Sequence, residues 1–158
     1  AMLARRLTAQ RSTATTQISC HPKNFQQMAG LAAYYNTYLF HYLYLSHDEE
    51  KGLCLQIHSC DDGVSSFPLG EDIIPVPTGE LFLRATFDNC DLQFYFSEDG
   101  ENFLKAGPVI DASILSDDHG EHWGFTGTFV ALACQDLTGT GLSANFEFLE
   151  LSNERQTQ

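Results

Sequence analysis

The chain has 158 residues, the size of one ordinary domain, and 43% of them are hydrophobic, enough for a packed core. Its formal charge of -13, from 21 Asp and Glu against 8 Lys and Arg, argues against nucleic acid or an anionic membrane surface as a partner, since both repel it at long range. No run approaches the roughly 20 apolar residues of a membrane span and the N-terminus lacks the apolar stretch of a signal peptide, so a soluble, cytoplasmic protein is expected.

In chain order, residues 1–6 read as a linker remnant running into a strand cut from something upstream, and the domain proper is expected over 7–152. Almost nothing reads as a helix. Short alternating segments at 13–19, 27–36, 39–48 and 52–62 are followed by others at 80–88, 92–99, 103–110, 126–136 and 144–151. Turn chemistry separates them: "HDEEKG" (47–52), "CDDG" (60–63), and Asp99-Gly100 inside the hairpin "LQFYFSEDGENFLKAG". The three prolines of "PLGEDIIPVPTGE" (68–80) mark an extended crossover or edge segment, because proline cannot donate into a central ladder. Residues 111–124 form the longest piece without a strand pattern, and 153–158 read as a polar tail. Strands of this length and spacing predict an all-β sandwich or barrel.

The five cysteines are odd in number and form no CxxC pair, and Cys54 and Cys134 lie inside apolar runs. Free thiols in a reducing compartment fit this better than a disulfide framework or a zinc site, with a Cys54–Cys60 bridge left open. Acids come as doublets in turns, where they cap backbone N–H groups, and none forms a catalytic pair. His119 and His122, with Asp117, Asp118 and Glu121, are ligand types for a divalent metal, but no periodic scaffold sets them on one face; a solvated loop explains them. His41, His47 and His58 fall at different phases and read as separate surface or half-buried positions. There is no GxSxG elbow, no Cys/His pair placed by a recognisable motif and no phosphate-cradling glycine loop.

Aromatic residues are the remaining signal. Alternation puts Phe40, Tyr42 and Tyr44 on one face of a strand and Leu39, His41, Leu43 and Leu45 on the other. One such face fits a sugar-stacking platform; the simpler reading is sandwich core plus a surface that meets another domain.

"NFQQMAGLAAYYN", "FHYLYLSHDEEKG", "PLGEDI", "QFYFSEDGENF", "GPVIDASILSDDHG" and "FTGTFVALACQDLTG", in this order from about residue 3 to about 151, resemble the C-terminal concanavalin A-like β-sandwich of glycoside hydrolase family 43 β-xylosidases and α-L-arabinofuranosidases. The resemblance implies a two-sheet antiparallel jelly roll that works beside an N-terminal five-bladed β-propeller. That propeller carries the three carboxylates that hydrolyse xylo-oligosaccharides with inversion. It also implies that the sandwich completes the propeller's pocket with an aromatic residue from the segment "HWGFTGTF". Phe125 is the first choice and Phe129 the second, with Trp123 beside them; Gly124 stands where relatives often carry a further aromatic. The chain alone is then inactive, needs no cofactor, and comes from a parent expected to be a homo-oligomer. Concanavalin-like sandwiches often hold a structural Ca²⁺, although no ligand spacing here singles out a site. The alternative is a free-standing carbohydrate-binding module that holds xylan on its tyrosine-rich face.

Overall fold

The computed structural model describes residues 2–6, 11–36, 38–112, 129–138, 142 and 144–154. Two-residue periodicity governs the strands. Along β2 (Arg11–Cys20) every second residue from Ser12 to Cys20 is buried, and along β8 (Glu80–Asp88) Leu81, Leu83, Ala85 and Phe87 are buried while their neighbours are not. A strand that hides one side chain in two must lie on a sheet with one covered face.

Two sheets result. The larger takes β1 (Met2–Arg6), β11 (Phe129–Asp136), β3 (Gln27–Asn36), β4 (Leu39–Asp48), β5 (Gly52–Asp61) and β6 (Val64–Ser66) in that order, with β7 (Ile74–Pro75) also paired to β5. The smaller runs from β10 (Leu104–Asp111) through β9 (Asp91–Ser97), β8 and β2 to β12 (Ala144–Glu154). All pairings among the described residues are antiparallel and these residues contain no helix, so the fold is an all-β, two-sheet antiparallel sandwich. One contiguous core fills the space between the sheets. Leu31, Leu43, Leu45, Leu55 and Ile57 from the larger sheet meet Ile18, Leu81, Leu83, Phe87, Leu92 and Phe94 from the smaller, all with 1% or less of their surface exposed. Burying each such side chain stabilises the fold by about 1.5–3 kcal/mol before entropy is counted.

The turns obey the expected chemistry. Asp48 accepts from the backbone N–H groups of Glu50 and Lys51, and Asp62 and Gly63 take positive φ between β5 and β6. At the β9–β10 hairpin Asp99 accepts from the N–H groups of Asn102 and Glu101, both at 2.8 Å, and from the side chains of Asn102 and Ser97. Those bonds to the charged form, led by the Asn102 N–H, hold its carboxyl far below the usual carboxylate range. A folded-state value below the unfolded one adds stability above the ordinary carboxylate range that is lost as pH falls through it. Asp99→Ala is therefore expected to lower the melting temperature at pH 7 and to lower it progressively less on acidification. Equal losses at pH 7 and in strong acid would contradict this account.

Differences from the sequence expectation concern elements held by distant partners. Residues 2–6 belong to the larger sheet, pairing with β11 from Met2↔Ala133 to Arg6↔Phe129, where a linker remnant was expected over 1–6. Strand β12 continues to Glu154, into the stretch read as a polar tail. The proline-rich crossover does carry the chain from one sheet to the other, and it leaves Leu69 and Val76 in the core. All five cysteines are free thiols; Cys54 and Cys60 lie on the same strand, about 20 Å apart at the usual rise, which rules out a bridge between them. His41 is not a surface or half-buried position but is 4% exposed, on the inner face of β4.

Candidate functional site

The outer face of the larger sheet is where aromatic residues gather. Register alone assembles it. The turn closing Asp48 against Gly52 sets His58 opposite Tyr42 and Gln56 opposite Tyr44, and the β3–β4 hairpin sets Ala32 opposite Tyr42, Gly30 opposite Tyr44 and Tyr34 opposite Phe40. Strand β11 adds Ala131, Ala133 and Gln135 on the same face.

Small residues on β3 and β11 decide what the large ones can do. Because Ala32 and Gly30 leave β3 low, the Tyr42 side chain lies across that strand and its hydroxyl donates to the carbonyl of Ala133 on β11, at 3.0 Å. Tyr44 stacks on Tyr42 with ring centroids 5.1 Å apart, and both rings are buried although they point away from the main core. Burial pushes the Tyr42 phenol well above its ordinary range and the Tyr44 phenol up to about 12, so both remain protonated donors at neutral pH.

Beside them runs a second aromatic line. Phe67, 49% exposed, stacks on His58 at 5.0 Å, and Phe40 meets the other side of the system edge-on at 5.1 Å from His58. The His58 Nε2 lies 2.8 Å from the Ser65 hydroxyl, and partial burial lowers its pKa, which keeps the imidazole neutral at pH 7. On this face is an open-topped hollow of about 150 Å³, or roughly 510 Å³ counting the space continuous with solvent. Ala32 and Ala133 line it together with Tyr34, Phe40, Tyr42, His58 and Gln135.

Of the residues singled out from the sequence, Phe129 opens β11, half-buried, opposite Tyr34 in register and on the same outer face as Ala131 and Ala133. Phe125 and Trp123 lie outside the described residues, as do Asp117, Asp118, His119, Glu121 and His122. Among the described residues no three His, Cys, Asp or Glu side chains converge as a metal cage. Sequence reasoning found Phe40, Tyr42 and Tyr44 but missed His58 and Gln135. His58 was accessible by counting along β5 from the Asp48–Gly52 turn; Gln135 was not, because β11 joins β3 from about a hundred residues away.

The family described as "Beta xylosidase C-terminal Concanavalin A-like domain" matches residues 1–152. The chain belongs to that family, within glycoside hydrolase family 43. Curated relatives agree: the xylosidase/arabinosidase 43B of Humicola insolens is 40% identical over 94% of this chain and 29% of its own length, and a β-xylosidase of Bacillus subtilis is 36% identical over 94% and 28%. Among solved structures, a xylan β-1,4-xylosidase from Bacillus halodurans superposes with a TM-score of 0.87 at 35% identity, covering 96% of this chain and 29% of that one. This β-xylosidase C-terminal domain thus spans less than a third of the length of the relatives it matches. Among the described residues no paired carboxylates or nucleophile stand in its outer-face hollow, and none of those that line it is Asp, Glu, Lys or Arg.

Proposed function

We propose that this sandwich is the accessory domain of a family 43 glycosidase that hydrolyses xylo-oligosaccharides, packing on a five-bladed β-propeller and completing its active-site pocket. The observation that carries the reading is the span: 94% of the chain aligns to a β-xylosidase of which it makes up only 28%. The work of bond cleavage then belongs to carboxylates on the remaining part. Inversion needs an acid and a base about 6.5 to 9.5 Å apart, with room for one water between them.

The part assigned to this chain is exclusion. An aromatic ring at the rim of the pocket, from Phe125 first, Phe129 second, or their neighbour Trp123, removes water from around the reacting groups and closes off longer substrates, which favours cleavage at chain ends. Phe129 supports this role through its position at the start of β11, directly after the segment that carries the other two. Removing such a ring weakens binding more than it abolishes chemistry.

Two measurements test the proposal. The 158-residue chain alone is expected to release no p-nitrophenol from p-nitrophenyl xyloside; robust turnover would overturn the assignment. In the complete enzyme Phe125→Ala is expected to raise KM by about tenfold, the worth of one well-packed apolar contact of ~1.4 kcal/mol, and to admit longer products. Unchanged KM and product profile for both Phe125→Ala and Phe129→Ala would remove the rim role.

A further inference from the structure

We propose that the hollow on the outer face of the larger sheet is a binding site for a short uncharged saccharide, holding one pyranose ring of a linear chain. Choosing xylose units rests on the function proposed above; choosing a saccharide rests on the hollow itself.

The walls are fixed before any ligand arrives. Tyr42 is held by its bond to the Ala133 carbonyl and by the Tyr44 ring, and His58 by Ser65 and Phe67. Rings that need no reordering cost little entropy on binding. They also leave a surface suited to one kind of molecule. A pyranose has an apolar face of C–H groups and a rim of hydroxyls; here flat ring surfaces stand beside the Gln135 amide, which both donates and accepts, and the Tyr34 phenol.

Charge narrows the class further. Among the described residues the lining holds no Asp, Glu, Lys or Arg, and burial lowers the pKa of His58 so that it is neutral at pH 7; these residues offer neither an anion nor a cation a counter-charge. The net charge of -13 also disfavours anionic ligands at long range. Size limits the ligand: the hollow itself holds about 150 Å³, below the about 300 to 1,000 Å³ of sites that enclose a drug-sized molecule, so it takes one sugar ring with the rest of the chain in solvent. The competing occupant is another protein domain. Tyr42 is already only 5% exposed, so it needs no partner to cover it, and a flat protein surface seated here would enclose an empty space.

Titration calorimetry of the 158-residue chain with xylohexaose tests the site. Saturable heat with Kd of about 0.1 to 1 mM is expected, weakened about fivefold or more by Phe40→Ala and by Gln135→Ala. Gln135 is exposed, so its variant keeps the fold and separates lost binding from lost structure. No saturable heat up to about 10 mM, or binding that survives both substitutions, overturns the site. So does a result in which the chain binds no xylohexaose while Phe40→Ala loosens this domain from the rest of the complete enzyme, which would make the face a domain contact. The Phe125→Ala kinetics use the complete enzyme and the titration uses the 158-residue chain alone, so either proposal can fail while the other stands.

Discussion

Gly30→Ala is expected to cost this domain most of its stability. A Cβ built on Gly30 would stand 1.9 Å from the carbonyl oxygen of Leu43 and 2.6 Å from the Cα of Tyr44. Both atoms are backbone of β4, the strand that pairs with β3 from Ala29↔Leu45 to Asn36↔Leu39, so nothing flexible can yield. To admit one methyl, β3 must leave β4, and the disturbance spreads on both sides because β11 pairs with β3 along eight residues and Tyr42 crosses β3 to reach Ala133. Overpacking of a yielding core costs about 1 to 3 kcal/mol; a clash with backbone exceeds that, against a total stability of about 5 to 15 kcal/mol for a domain. The measurement is the urea midpoint of Gly30→Ala beside that of the parent chain. A loss below about 1 kcal/mol would mean that β3 and β4 do not approach as described.

That glycine shows what a single sequence yields. "QMAGLAAYYN" reads as a strand from its apolar residues, and its register to β4 follows from the short connection between them. Why position 30 must lack a side chain becomes visible only when the neighbouring backbone is in place. The same division runs through the fold. Hairpins joined by a few residues, such as β4–β5 and β9–β10, are legible because the turn fixes which residue faces which, and the acids of those turns cap N–H groups as their types require.

Long-range pairings were not legible. Strand β1 is five residues long and carries two arginines, and it becomes a strand because β11, more than a hundred residues later, offers an open edge. Gln135 reaches the aromatic hollow by the same route, through the β11–β3 pairing. The aromatic face of β4 could be read from alternation, yet which of its two faces was core required knowing that Leu43 and Leu45 oppose a second sheet while Tyr42 and Tyr44 lie over alanines. The family resemblance supplied the sandwich and its parent; the residues of the hollow came from the geometry.

A second large effect is expected from acidification, through His41. Its alternation with Leu43 and Leu45 forces the imidazole inward, where Nδ1 lies 2.7 Å from the Ser59 hydroxyl and Nε2 has no hydrogen-bond partner among the described residues. A charge there would lose its water, so burial lowers the pKa from 6.5 to about 4, with Asp111 and Asp61 pulling weakly the other way. Between those two values the unfolded chain binds a proton that the folded chain refuses. Stability is therefore complete above about pH 6.5 and falls as pH drops toward 4, by about 3.5 kcal/mol at most, since each pH unit crossed between the two values removes about 1.4 kcal/mol. Below pH 4 both states are protonated at this position and its slope ends; losses at Asp99 continue to lower pH, which separates the two groups. His41→Gln keeps a side chain able to bond Ser59 but cannot titrate. Urea midpoints of the two chains from about pH 7 to about pH 4 should diverge, the parent losing stability through this window and His41→Gln holding nearly level. Parallel curves would show that His41 either is reached by solvent or is protonated in the folded state, and the inward placement of β4 at that position would have to be redrawn.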